Sequence, residues 1–417
     1  MYSKGKYALF LLALTIISPL AAFLIALRFY KSSVSQFFML VFAYYFGSHI
    51  ALGWDLTNHY LDMREYYWGR PVRDILNDPR IYFMGGDYYH VILKIIMSRF
   101  KASPAVFAGV VATIYASVFL FFFNQLKDFY NSYMPVLCGM LLLCVVCVVP
   151  YNWYNGVRFY TGFFVFAGFY MKFLKSRKWI YLLLSLVCMF FHFALIILPL
   201  AMIINRLLYK LSKTGTIIRY SLFFISCIYR VLNVDFVPLL LKYFPNLPFL
   251  KMSVTNTTIR KNVVKAMAEF RAKGNIFYLY RDYLLLFFGL LIGVVLLASR
   301  ANFRSKYTVL FGMFVTLFTL ANFGYADLTF NERTFKIAVL FYYCFLFVTV
   351  YNNYELLRRR RVTLIVLTLV PLTYSILTQL VEQRDYLLHI DLFLGNFFYD
   401  WHGGLTRYHG GFYHKYM

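Results

Sequence analysis

The chain has 417 residues, 61% of them apolar and 14% charged, and 42 Lys and Arg against 17 Asp and Glu leave a formal charge of +25. Ordinary soluble domains carry about a quarter charged residues, and disordered chains lack this apolar content. Repeated apolar runs of about 20 residues exclude a soluble nucleic-acid binder and specify an all-α polytopic membrane protein.

The runs able to span hydrocarbon lie near 7–27, 34–52, 104–123, 133–150, 157–174, 216–232, 283–298, 307–323, 335–351 and 362–380. With a broken, re-entrant pair over 179–205 they predict about 10–12 transmembrane helices. Lys4 and Lys6 precede the first run as in a signal peptide, but the many later spans favour a first transmembrane helix. No linker or internal repeat divides residues 1–417, so they are expected to form one integral membrane domain. Within it, 53–103 reads as an outer loop with amphipathic helices, 233–282 as a basic outer loop, and 381–417 as an aromatic, His-rich tail. The six cysteines all lie in apolar runs, and Cys144-x-x-Cys147 sits in LLLCVVCVV, which favours small packing residues over a metal or redox pair.

Basic residues in short loops set orientation. Arg28 and Lys31, Lys127, Lys172 to Lys178, Arg300 to Lys306, and Arg358 to Arg361 fall in alternate loops, which places them in the cytoplasm and the long polar stretches outside. Residues 179–205 have basic clusters at both ends. As one straight helix they would run about 40 Å and carry the second cluster to the wrong side. Two half-length helices turning near Phe191-His192 keep both clusters inside, with His192 at the apex of a pair opening outward.

Ionisable groups in hydrocarbon are costly and are usually functional or paired. For His192 a hydrogen-bonded neutral ring and a role beside a polar substrate both stand. Arg158, at the outer start of its span, either snorkels to headgroups or offers its planar fork to a phosphate, with Asn155 adding an amide. Asp55, Asn58, His59 and Asp62 share one helical face; a solvated surface, a general base with a supporting histidine, and a divalent-metal site remain open. Glu332 and Arg333 either pair with each other or supply an acid and a phosphate clamp. In 233–282 the excess of Lys and Arg, Lys261 and Arg271 among them, suits anionic headgroups or an anionic substrate. His402, His409 and His414 give the tail an interfacial reading, with a metal-binding one as the alternative.

The stretch from NGVRFYTGFF through KFLKSRK to VCMFFHFALIILPL resembles the central signature of the EpsG-like members of the Wzy-type polysaccharide polymerases. In that signature an arginine opens a transmembrane helix, a basic turn follows, and the next apolar run ends in Phe-His; here these are Arg158, the KFLKSRK turn and Phe191-His192. Gly53, Asp55 and Tyr60 are similar to the family's early Gly-x-Asp and tyrosine, with His59 intervening, and Arg333 ahead of Tyr342 and Tyr343 is similar to its late arginine. Where members often carry Arg-Gln, this chain has Arg158-Phe159.

The resemblance implies a GT-C-like membrane glycosyltransferase of the bacterial inner membrane. It would join polyprenyl-diphosphate-linked oligosaccharide units of O-antigen, capsule or exopolysaccharide, alongside export or chain-length proteins. Asp55, His59 and His192 are its expected catalytic residues. Arg158, Arg333, Asn155, Lys261 and Arg271 are its diphosphate ligands, and Tyr60 and Glu332 its support. No D-x-D pair is found, so neither metal nor cofactor is expected. Two rivals are a membrane-bound O-acyltransferase built on Asn155 and His192, and a lipid-linked oligosaccharide flippase.

Overall fold

Helix boundaries follow from caps and breakers as much as from apolar length. The run expected to cross at 7–27 is two helices, α1 (Lys4–Ile17) and α2 (Pro19–Arg28). Ser18 divides them: its backbone is extended and its hydroxyl accepts from Ala21 N at 3.3 Å. Pro19 follows at the first helical position, where no backbone donor is needed. The computed structural model describes residues 4–49, 54–78, 87–127, 134–149, 158–232, 276–301, 308–324 and 328–382. Among these every regular element is helical. Among the described residues five helices are long and apolar enough to cross a membrane, namely Pro104–Leu126, Phe193–Lys210, Arg281–Ala298, Phe330–Asn352 and Arg358–Leu380. Shorter apolar helices such as Val136–Val148 and Thr308–Phe323 accompany them. This is an all-α membrane protein.

The packing falls into two compact units. The first draws on Met1–Asp128 and Tyr151–Ile197. After α3 (Ser33–His49) it contains α4 (Trp54–Tyr66), α5 (Val72–Leu76) and α6 (Tyr88–Arg99), the helices of the 53–103 loop. Then come α7 (Pro104–Lys127) and α9 (Phe159–Ser176), the latter numbered after α8 (Val136–Val148) of the other unit. α7 packs against both α3 and α9. Small residues let the α3 and α7 backbones meet: a Cβ on Gly47 would lie 2.4 Å from Ala112 Cβ and 2.9 Å from Ala108 O. α9 ends in the KFLKSRK turn, where Arg177 takes a left-handed φ of 58°.

Beyond that turn the chain breaks where the sequence expected. α10 (Trp179–Ser185) and α11 (Cys188–Phe191) stop at His192, which is extended (φ −159°, ψ 123°) and leads into a 3₁₀ turn, Phe193–Ile196. The expected half-length of the second piece needs correction. α12 (Ile197–Lys210) runs past Asn205 to Lys210, so Phe193–Lys210 is 18 residues, long enough to cross. Arg206 and Lys210 do not stop it, because arginine and lysine are good helix formers.

The second unit draws on Phe129–Pro150 and Leu198–Glu382. It holds α8, α13 (Ser212–Val231), α14 (Ile276–Ala298), α15 (Thr308–Phe323), α16 (Leu328–Asn352) and α17 (Arg361–Glu382). α16 is its pillar, packed against α8, α14 and α15. Tyr342 and Tyr343 of α16 donate to the Gly289 and Leu285 carbonyls of α14 at 3.1 and 2.8 Å. α14 also begins earlier than the expected 283, which puts Arg281 and Asp282 in a helix rather than in the basic loop. All six cysteines are buried or half-buried.

Candidate functional site

In the first unit the residues singled out by sequence are drawn together by one that was not. Asp87 stands just before α6 and is 6% exposed. Its Oδ2 accepts from Arg158 Nη1 at 2.5 Å, and its Oδ1 accepts from the Phe193 backbone N–H at 2.8 Å. The same Oδ1 lies 4.0 Å from His192 Nδ1. Arg158 caps the start of α9, and His192 occupies the break between α11 and the 3₁₀ turn. One carboxylate thus joins three chain segments.

The arginine and imidazole sit at the more open edge of this cluster, with side chains 24% and 21% exposed. His192 Nδ1 accepts from Ala194 N at 3.1 Å, which caps the turn. A neutral ring in that role carries its proton on Nε2 and donates from there. Phe159 meets the imidazole edge to face at a centroid distance of 5.5 Å.

A second layer lies behind, between α4 and α6. The rings of His59 and His90 are 5.0 Å apart. Lys94, 1% exposed, is salt-bridged to Asp62 and lies 5.5 Å from the Tyr67 ring centroid. Burial first, then the positive charges of Lys94 and Arg158, hold both histidines well below the usual imidazole range, although a hydrogen bond to the Asp87 backbone opposes this at His90. The polar face expected of Asp55, Asn58, His59 and Asp62 divides: His59 is packed inward, Asn58 is exposed, and Asp62 is half-buried. Tyr60 is also buried, its ring 6.1 Å from that of Phe107. Asp55 belongs to α4, but its side chain lies outside the described residues, as do Asn155, Lys261, Arg271 and the tail histidines.

Arg333 and Glu332 belong to the second unit, in the first turns of α16. Glu332 is bonded to Lys336 one turn on, at 2.7 Å. Lys336 also lies 3.5 Å from Asp282, which Arg281 Nε reaches at 3.1 Å. Arg281 and Lys336 have no exposed side-chain surface. Nearby in α13, Arg230 donates to Asn322 at 3.0 Å and to the Tyr283 hydroxyl at 2.5 Å. This end of the unit therefore gathers four cations, Arg230, Arg281, Arg333 and Lys336, and two carboxylates, Asp282 and Glu332.

Asp87, His90 and Lys94 escaped the sequence reading. Their signal was there: spacings of three and four in DYYHVILKIIM set them on one face of an otherwise apolar helix. Among the described residues no group of three or more His, Cys, Asp or Glu side chains is arranged to hold a metal ion. No protein-family model, curated protein or solved structure significantly matches this chain.

Proposed function

We propose that the chain is a membrane glycosyltransferase that polymerises polyprenyl-diphosphate-linked oligosaccharides at the outer face of a bacterial inner membrane. The resemblance around residues 155–200 supports this function and, with it, a GT-C-like arrangement of about 10–12 crossings once shorter apolar helices are counted. The observation that carries the proposal is the cluster of Arg158 and His192 about Asp87. It sits at the end of α9 opposite the basic Lys172–Lys178 turn, the outer end by the charge rule.

In the reaction, an acceptor hydroxyl attacks the anomeric carbon of the donor. The bond from that carbon to the diphosphate oxygen breaks, and the hydroxyl proton passes to a base. Negative charge grows on the leaving diphosphate, where fixed cationic donors stabilise it most. Arg158 supplies a guanidinium fork for that group, and His192 supplies its Nε2–H. The resemblance gives Arg333, Lys261 and Arg271 a part in drawing in the anionic lipid head, and Asn155 that of a neutral ligand. Asp55 is the candidate base, and the resemblance gives Tyr60 and Glu332 supporting roles, each within its own unit. His59 suits an orienting role better than proton uptake, because burial and two nearby cations depress its basicity.

The test is a gel assay of the purified protein with a polyprenyl-diphosphate oligosaccharide. Wild type should give a ladder of products. Arg158→Ala and His192→Ala should each reduce elongation by about 10²-fold or more, the scale of losing one oriented transition-state donor. Equal ladders from wild type and both variants would refute these roles. Substrate movement across vesicles without any lengthening would favour a transporter.

A further inference from the structure

We propose that Asp87 is a positioning residue of this site: it aligns Arg158 and the His192 break, and by cancelling the arginine's charge it trades donor affinity for turnover. The inference rests on the polymerase reading for its kinetic consequence but not for its geometry. Both carboxylate oxygens are engaged, one by the Arg158 guanidinium and one by the Phe193 N–H. A single side chain therefore sets the arginine's direction and the path of the backbone that presents the imidazole. The carboxylate is 6% exposed while its arginine is 24% exposed, so Asp87 lies behind the working edge and is poorly placed to touch substrate.

The electrostatics lead to the second half of the proposal. Among the described residues, the ion pairs about Asp87 match two cations, Arg158 and Lys94, with two carboxylates, Asp87 and Asp62. A diphosphate thus meets a guanidinium of fixed direction whose charge a carboxylate already balances. Such a site holds the leaving group through oriented hydrogen bonds and lets the spent diphosphate carrier go. Removing the carboxylate charge reverses both terms. The cluster becomes net positive, so anions bind more firmly, while the arginine and the His192 bend lose their common anchor. Misplacement of a reacting group by about 1 Å is enough to slow catalysis by about 10²-fold.

The experiment compares Asp87→Asn with wild type in three measurements on the full-length protein in detergent. Thermal unfolding checks the fold. Phenylglyoxal modification of Arg158, followed by mass spectrometry with exposed Arg177 as internal reference, reads the pairing without any glycan. Elongation of the polyprenyl-diphosphate donor gives kcat and KM. The expected result is modification of Arg158 faster by about threefold or more, kcat lower by about tenfold to 10²-fold, and a donor KM unchanged or lower. Arg158 modified at the wild-type rate, or a raised KM with unchanged kcat, overturns the proposal. Asp87→Glu covers the case in which D87N does not fold. It keeps the charge but shifts the anchor by one methylene, so slow modification should persist while kcat falls. Wild-type kcat in D87E also overturns the proposal. If wild-type protein fails to elongate the donor, the polymerase reading fails, and the Arg158 modification rates alone decide whether Asp87 positions it.

Discussion

Lys94 and Asp62 form an asymmetric pair, one partner 1% and the other 25% exposed. Removing the carboxylate leaves an ammonium in a dry setting, whereas removing the ammonium leaves a carboxylate that water still reaches. Asp62→Ala should therefore destabilise the protein by about 2–4 kcal/mol, and Lys94→Met by clearly less. Thermal unfolding in detergent checks the order; equal losses would mean that burial of Lys94 is not the governing term. His59 and His90 make a pH prediction. Their folded pKa values lie below the unfolded value near 6.5, so folding keeps them neutral while the unfolded chain takes up protons. Their contribution is thus full above about pH 7 and is lost as pH falls below the unfolded pKa, at about 1.4 kcal/mol per pH unit per histidine. Melting temperatures should drop between pH 7 and pH 5, and His90→Gln should flatten that drop. A slope unchanged in the variant would sink the assignment.

At the scale of elements, the α3–α7 crossing depends on a missing side chain. Gly47→Ala puts a methyl against a backbone carbonyl and the Ala112 Cβ, neither of which can swing away. The helices must part, at about 1–3 kcal/mol for an overpacked contact. Gly139 offers the control, since a Cβ there meets only a flexible Met134 end at 3.7 Å. Gly139→Ala should be neutral or slightly stabilising, because alanine is the better helix former. A Gly47→Ala protein that melts with wild type would show that the helices do not cross this closely. The division of the first span has a similar handle: Ser18→Ala removes the cap of α2 and should cost about 1 kcal/mol.

For the whole molecule, the excess of 42 basic over 17 acidic residues is organised by loop rather than spread evenly. The turns containing Ser176 and Glu355, both exposed, should face the cytoplasm. Cysteines introduced at these positions should resist a membrane-impermeant thiol reagent in intact cells and react after permeabilisation. The native thiols give a low background, since five are buried and Cys227 is half-buried. Labelling at position 176 from outside would put the Arg158 end of α9 at the cytoplasmic face, against the outer-face chemistry proposed above.

Residue order alone determined the membrane class, the long apolar helices α7, α14, α16 and α17, the basic turn at Arg177, and the break at His192. Each is a property of a few consecutive residues: length against bilayer thickness, charge against the positive-inside bias, or a polar ring in an apolar run. It also isolated Arg158 and His192, because ionisable groups beside hydrocarbon stand out without knowledge of their neighbours. Tertiary packing decided the rest. Asp87 is 71 residues from Arg158 and 106 from Phe193 in the chain, so no local pattern reports that it binds both. The fate of His59 was equally hidden, since its helical face is polar by spacing yet meets the His90 and Lys94 face of α6. Arg281 and Lys336 read as loop and helix charges, and their meeting at Asp282, with Glu332 also on Lys336, accompanies their complete burial. A charge enters the interior only with a counter-charge, and for Lys94 and Asp87 that partner comes from far along the sequence.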